Sequence, residues 1–179
     1  MKIEVYDDEI LVTSDNINTR VVIIPDFVTK IDRNAFLNKT KIEEVIIHSN
    51  VKHIGFGAFK GCVNMSKVHM SDSVKTLGEE AFYGCANLKD VRLSNNIEKI
   101  ERLAFRGCMK LRDIQLPEGL KYIGYGAFDS CIELKSIEIP DTVIEIGARA
   151  FFDCRRLSKI KLSNSISEVE GYCFTNCLV

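Results

Sequence analysis

A period of 23 residues runs through almost the whole chain and restricts its possible folds more than any other feature. Alanine precedes six of the seven phenylalanines that recur at this step, and Cys173 precedes the seventh. A repeat of this length cannot bury its apolar side alone, so its copies must stack on one another as a solenoid. The repeating phenylalanines are Phe36, Phe59, Phe82, Phe105, Phe128, Phe151 and Phe174.

Two apolar columns close together predict a short β-strand in every copy. Val91 and Leu93 form one such pair, with one polar residue between them, and this alternation is typical of a strand. One strand per copy gives a parallel sheet with strands about 4.8 Å apart and a rod roughly 30–35 Å long. A second extended segment, as in residues 51–54, is predicted on the opposite face. Glycine then turns the chain into a predicted short helical stretch that carries the alanine and the phenylalanine.

Composition excludes several functional classes. The 179 residues suit a single domain, and 46% hydrophobic with 27% charged residues indicates a globular protein. Because 24 basic and 25 acidic residues nearly cancel, neither a nucleic acid nor a membrane surface is a predicted partner. The N-terminal residues lack the apolar core of a signal peptide. The predicted location is the cytoplasm, or the cell surface or the medium if an export signal has been removed.

Two segments show the repeat most clearly: residues 123–131 read IGYGAFDSC and residues 134–140 read LKSIEIP. This pattern resembles the BspA-like subgroup of leucine-rich repeats over residues 21–179. The resemblance implies a leucine-rich-repeat solenoid of short strands and short helical turns, shaped as a right-handed horseshoe or rod with a parallel sheet. It also implies a bacterial protein that binds other proteins, often at the cell surface.

The two ends of the chain depart from the period. Residues 1–20 contain two apolar alternations around an acidic turn, which predict a β-hairpin. We expect this hairpin to cap the first copy at Val22 and Ile24, because a solenoid needs covered ends. Residues 21–179 make seven copies, the last of them incomplete. Leu178 and Val179 there are candidates for self-association, since an open apolar edge invites pairing; truncation and fraying are the alternatives.

The cysteines form a column that could suggest a metal or redox site. Six of the seven recur at the 23-residue step, but zinc needs ligands that converge tetrahedrally, usually with C-x-x-C pairs. Cysteine is among the most buried residue types, so we predict a reduced structural column. Cys173 and Cys177 are the pair for which reactivity is the alternative.

The histidines are the other candidate ligands. His48 and His69 fall on neighbouring predicted strands, and with Glu44 they could hold a transition metal weakly; solvated surface histidines are the simpler interpretation. The sequence lacks the pattern of nucleophile, base and orienting group that covalent catalysis needs. We therefore predict a protein that is not an enzyme, with no catalytic, cofactor-binding or metal-binding residues.

The outward side of the predicted sheet remains as the candidate binding surface. Such a sheet is rigid and presents side chains in an ordered array, although outward columns are also polar simply to prevent aggregation. The leading hypothesis is a module that binds a protein partner, and the alternative is a self-assembling structural protein, possible as a homodimer through the C-terminal end. The predicted sheet-face residues are Glu44, Ile46, His48, Lys67, His69, Asp90, Arg92, Asp113, Gln115, Glu138, Lys159 and Lys161. An aromatic set offers a second candidate surface: Phe56, Tyr83, Tyr125, Phe152 and Tyr172.

Overall fold

The chain is built almost entirely of short strands joined by tight turns. A computed structural model describes residues 2–6, 9–13 and 19–178, with side chains described from residue 19 onward. The strands are β1 (Lys2–Tyr6), β2 (Glu9–Thr13), β3 (Val21–Ile24), β4 (Lys30–Ile31), β5 (Glu44–Ile47), β6 (His53–Ile54), β7 (Lys67–Met70), β8 (Thr76–Leu77), β9 (Asp90–Arg92), β10 (Lys99–Ile100), β11 (Tyr122–Ile123), β12 (Ser136–Glu138), β13 (Glu145–Ile146), β14 (Lys159–Lys161) and β15 (Glu168–Val169).

Two sets of parallel strands enclose a common core, as expected for a solenoid in which each 23-residue repeat forms one coil. The long sheet has the order β1-β2-β4-β6-β8-β10-β11-β13-β15. The face sheet consists of β3-β5-β7-β9 followed by the separate pair β12-β14. Neighbouring strands pair residues one period apart, such as Lys67 with Asp90 and Lys99 with Tyr122. The predicted parallel-sheet solenoid is therefore confirmed.

The N-terminal strands extend the long sheet. Strands β1 and β2 pair antiparallel, and β2 pairs in parallel with β4 through Val12 and Ile31. These strands thus join the sheet that contains Ile31 and do not continue the sheet of Val22 and Ile24. The acidic turn at residues 7–8 lies outside the described residues, and the role of this segment as a cap stays a prediction.

The core of the solenoid is a continuous stack of phenylalanine rings. Each ring lies nearly parallel to the next, with centroids 5.0 Å apart between Phe36 and Phe59 and 5.5 Å between Phe105 and Phe128. The alanine before each of the first six rings is buried. Its small side chain allows neighbouring coils to approach closely, whereas a larger side chain would hold them apart. Each coil therefore completes its core only by contact with its neighbours.

The predicted helical stretch around each phenylalanine is wrong, since the described residues there form successive turns. Successive amides donate alternately to their own coil and to the next one. Ala81 N donates to Gly78 O in its own coil at 3.2 Å, and Phe82 N donates to Ala104 O in the next coil at 2.8 Å. The backbone conformation prevents a helix, because Glu80 and Gly84 have φ of 57° and 70°. A residue in this left-handed region ends a right-handed helical turn.

Gly84 offers a test of this turn, because its effect can be separated from crowding. No atom lies within 4 Å of the position that a Cβ would occupy at Gly84, so Gly84→Ala adds only the strain of positive φ. We expect a loss of about 1–2 kcal/mol in the free energy of unfolding, measured by chemical denaturation. Gly119→Ala is the control, since Gly119 has no positive φ and its Cβ would make only an ordinary van der Waals contact, with Asn95 O at 3.9 Å. This change should leave stability equal or slightly higher. Equal losses in both variants would contradict this account.

The face sheet is interrupted between β9 and β12. The strand predicted at residues 113–116 is absent, although the apolar side chains of this segment remain buried. Two prolines explain the interruption. In an intact part of the sheet Ser71 N donates to Ile47 O at 3.1 Å, but Pro117 and Pro140 occupy the same column and have no amide proton.

Candidate functional site

The strand alternation of the face sheet positions the predicted binding residues. In β5 and β7 the second and fourth side chains are buried, whereas the first and third are partly exposed. The register aligns Glu44 with Lys67 and Ile46 with His69. Together with the exposed residues further along the chain, they form an outward array in two columns. That this array binds a partner stays a prediction.

Charged pairs connect neighbouring coils across this array. Lys67 Nζ lies 3.4 Å from Glu44 Oε1, and the Lys161 ammonium donates to the Glu138 carboxylate. This hydrogen bond raises the pKa of Lys161. Pairs this exposed contribute little to stability, so their main effect is to order long side chains on the surface.

The predicted proximity of two histidines does not produce a metal centre. His69 Nε2 lies 3.6 Å from Asp90 Oδ2, while His48 is exposed beyond the end of β5. The third histidine, His53, shares a hydrogen bond of 2.8 Å with Thr76 Oγ1 on the long sheet. Within residues 19–178, no three histidine, cysteine, aspartate or glutamate side chains come together as a ligand set.

The cysteine column is built into the core. Each thiol in it donates to the carbonyl of the repeat phenylalanine one coil earlier, as Cys85 Sγ does to Phe59 O at 3.2 Å. All seven cysteines are free thiols. Burial raises the pKa of Cys62 to about 12 and that of Cys173 to about 11, and it also raises the pKa of the half-buried Cys177. A thiol with a raised pKa is a weak nucleophile at neutral pH, which disfavours the reactive pair.

Thiol alkylation should reflect this burial. At pH 8 every cysteine pKa named above lies further above the solution pH than that of a free thiol, so the thiolate fraction of the folded protein is small. We expect iodoacetamide to modify Cys177 first and the core cysteines only after addition of guanidinium, as followed by peptide mass spectrometry. The unfolded protein is the control for intrinsic reactivity. Rapid labelling of Cys85 or Cys108 in the folded protein would contradict the packing.

The aromatic set lies beside the turns, where basic side chains cover several of its rings. The guanidinium of Arg33 lies 4.7 Å from the ring centroid of Phe56, and that of Arg149 lies 3.8 Å from that of Phe152. Tyr172 is the most exposed member. Such cation–π contacts stabilise the rings in place, so most of this set belongs to the structure of the turns.

The same turns contain a buried carboxylate that the sequence did not lead us to predict. Asp129 is 1% exposed, and its Oδ2 lies 3.2 Å from Arg149 Nη2 and 3.7 Å from Arg106 Nε. Ser130 Oγ donates to its other oxygen at 2.6 Å. The sequence does contain an indication of this ion pair. The repeat places Asp129 one residue after a buried phenylalanine, in the column that holds Arg106 one coil earlier.

Comparison with known proteins identifies the fold. The solved leucine-rich-repeat protein of T. pallidum is 27% identical, with a TM-score of 0.88 over 95% of this chain and 82% of that one. A leucine-rich cell surface protein of Faecalibacterium prausnitzii is 27% identical, with a TM-score of 0.74 over 88% of this chain and 52% of that one. A Bacteroides ovatus leucine-rich-repeat protein is 25% identical, with a TM-score of 0.73 over 99% and 56%. The chain thus spans about half the length of the latter two.

These stacked coils and structural likenesses define a leucine-rich-repeat solenoid. The model of the BspA-type leucine-rich repeat region matches residues 14–132 and 98–179 with six copies, so the chain belongs to that family. Among curated proteins no match is found. Within the described part of the chain, no helix has the length and apolar character needed to cross a membrane.

Proposed function

We propose that this protein is a non-enzymatic interaction module whose face sheet binds a protein partner. The outward array supports this proposal, because most of its side chains project from paired strands, and all of them lie over a close-packed core. A rigid surface loses little conformational entropy on binding. Arg92 and Lys161 are exposed members of the array, and arginine is enriched among residues that dominate interface energies. By analogy with the cell surface protein of F. prausnitzii, we further propose that this protein acts at the cell surface.

A pull-down with matched charge variants tests the face sheet. Wild-type protein is compared with Arg92→Glu/Lys161→Glu on the face sheet and with Lys75→Glu/Lys99→Glu on the side of the long sheet. We expect the wild type and the long-sheet variant to retain the same partner, whereas the face variant captures about tenfold less because its charge complementarity is reversed. Circular dichroism confirms that all three are folded. Equal capture by all three would exclude the face sheet as the binding site.

Self-assembly through the last coil is the second candidate. Leu162, Val169 and Leu178 are 46%, 42% and 68% exposed there, while Val179 lies outside the described residues. Exposed apolar side chains at a sheet end favour association with another strand or coil. We propose a second copy of this chain as the partner in that case.

Sedimentation over a range of concentrations tests this candidate. A dimer that forms with increasing concentration, and that Leu178→Asp/Val179→Asp abolishes, would support self-assembly. A wild-type monomer at every concentration would contradict it and leave the face sheet as the better account.

A further inference from the structure

One junction of the long sheet is less well paired than its neighbours. From β2 to β15 each strand joins the next through two residue pairs, except that β8 and β10 join only through Leu77 and Ile100. At the following junction Gly124 N donates to Ile100 O at 2.8 Å. The equivalent amide of Glu101 makes no backbone hydrogen bond of comparable length to the coil of β8, within the described residues. We call this junction the β8–β10 seam.

A groove lies open along the β8–β10 seam. Its volume is about 780 Å³, and the residues that line it come from both coils, with Gly78 on one side and Glu101 on the other. The same two coils remain joined elsewhere. On the face sheet β7 and β9 join through three residue pairs, and on the turns Phe82 N donates to Ala104 O at 2.8 Å. The opening is therefore confined to the long sheet.

The residue type at position 101 explains the opening. In four other coils the same column holds a glycine: Gly55, Gly78, Gly124 and Gly147. A Cβ at Gly78 would lie 2.7 Å from the carbonyl carbon of Gly55, and a Cβ at Gly124 would lie 2.8 Å from Arg102 N. Both distances are shorter than a van der Waals contact, so glycine lets the two backbones approach to the ordinary strand spacing. Glu101 brings a Cβ into this column and keeps its own coil away from that of β8.

Glu170 holds the same column in the coil of β15, where the hydrogen bond is lengthened but kept. Its amide donates to Ile146 O at 3.0 Å, whereas each of the four glycine amides donates at 2.8 Å. Within the described residues that coil stacks on a neighbour at one side only, so it can shift as a whole. Phe151 N accordingly lies 3.0 Å from Cys173 O, against 2.7–2.8 Å for the equivalent bonds of the five earlier rings. The coil of Glu101 has a stacked ring on both sides, so it cannot shift and opens locally.

We propose that the β8–β10 seam is a hinge of the solenoid and that the Cβ of Glu101 prevents its closure. The turns around Phe82 and the paired strands β7 and β9 form the pivot, and the long sheet opens about them. Lost backbone hydrogen bonds lower the free energy of local opening, and a hinge needs only a few residues at the ends of strands. Because the face sheet stays paired, bending changes the curvature of the solenoid and leaves the outward array intact. The hinge goes beyond the function proposed above and does not depend on it.

Hydrogen exchange of single amides in the full chain, followed by NMR, tests the hinge. The reporter is the Glu80 amide, which adjoins the groove and donates across the same seam to Arg102 O at 3.0 Å. Because this hydrogen bond is present in the structure, fast exchange there measures opening and not a missing bond. The reference is the Leu103 amide, which donates to Tyr125 O at 2.9 Å one seam further along. Glu101→Gly removes the Cβ, whereas the matched control Glu101→Ala keeps it and removes the carboxylate.

In the wild type we expect the protection factor of the Glu80 amide to be at least about tenfold lower than that of Leu103. Glu101→Gly should bring the two protection factors to within about twofold, since the seam can then close, whereas Glu101→Ala should leave the difference unchanged. Equal protection of Glu80 and Leu103 in the wild type would overturn the proposal, because the groove would then be static. So would a difference that survives Glu101→Gly, or one that Glu101→Ala removes as completely, since neither result assigns the opening to the Cβ.

Discussion

Phe105→Ala will lower the free energy of unfolding by about 3–5 kcal/mol, the usual cost of removing a fully buried aromatic ring. The Phe105 ring lies in the middle of the stack, with centroids 5.3 Å from Phe82 and 5.5 Å from Phe128. The variant loses contacts on both sides and leaves a cavity that two coils must share. Chemical denaturation followed by circular dichroism measures the change.

Phe174→Ala is the matched control, because it removes the same group from the last position of the same stack. Phe174 contacts one ring, that of Phe151 at 5.4 Å, and it is only partly buried. We expect a loss of about 1–2 kcal/mol, since less transfer free energy and less cavity volume are involved. Equal losses in the two variants would show that the stack does not depend on contact from both neighbours.

The repeat predicted the core and the parallel sheets because both depend on side-chain periodicity. The phenylalanine column required its rings to stack, and the alternation around Val45 and Val68 set which side chains face inward. The turns around Phe82 could not be assigned in this way. Helices and successive turns bury the same residues there, and the choice depends on φ at Glu80 and Gly84. Because position 80 holds a glutamate and not a glycine, the sequence does not indicate the left-handed conformation there.

The interruption at residues 113–116 is a second feature that the 23-residue repeat could not predict. The apolar alternation of this segment matches that of its neighbours, since Ile114 and Leu116 are buried like the equivalent residues of other coils. Alternation shows which side chains are buried, but by itself it does not establish that the backbone hydrogen bonds to its neighbour form. Pro117 was visible in the sequence, but its effect depends on the acceptor that the preceding coil places opposite it.

The outward array was predictable for the same reason as the core, whereas the groups beside it were not. Residues between two apolar positions of the alternation are expected to face solvent, which identified Arg92 and Lys161. Asp129 was missed because a charged residue in a turn is usually exposed.

Arg149→Met tests whether the buried Asp129 depends on its arginine partners. The variant removes the closer guanidinium and leaves a carboxylate that is 1% exposed with Arg106 at 3.7 Å. Breaking a fully buried pair costs about 3–5 kcal/mol. Since Arg149 is about one-third exposed and Arg106 remains, we expect a loss of about 2–3 kcal/mol in the free energy of unfolding. Arg106→Met, which removes the more distant partner, should cost less.

A double variant separates the lost ion pair from lost packing. Asp129→Leu/Arg149→Met replaces both charges with apolar side chains beside the ring of Phe152, which Arg149 now covers. Because no buried carboxylate is left uncompensated, the double variant should be more stable than Arg149→Met alone. Denaturation curves of both single variants and the double variant give the interaction free energy. If the two single losses simply add, the pair contributes no coupling, and Arg149 stabilises these turns through its contact with Phe152.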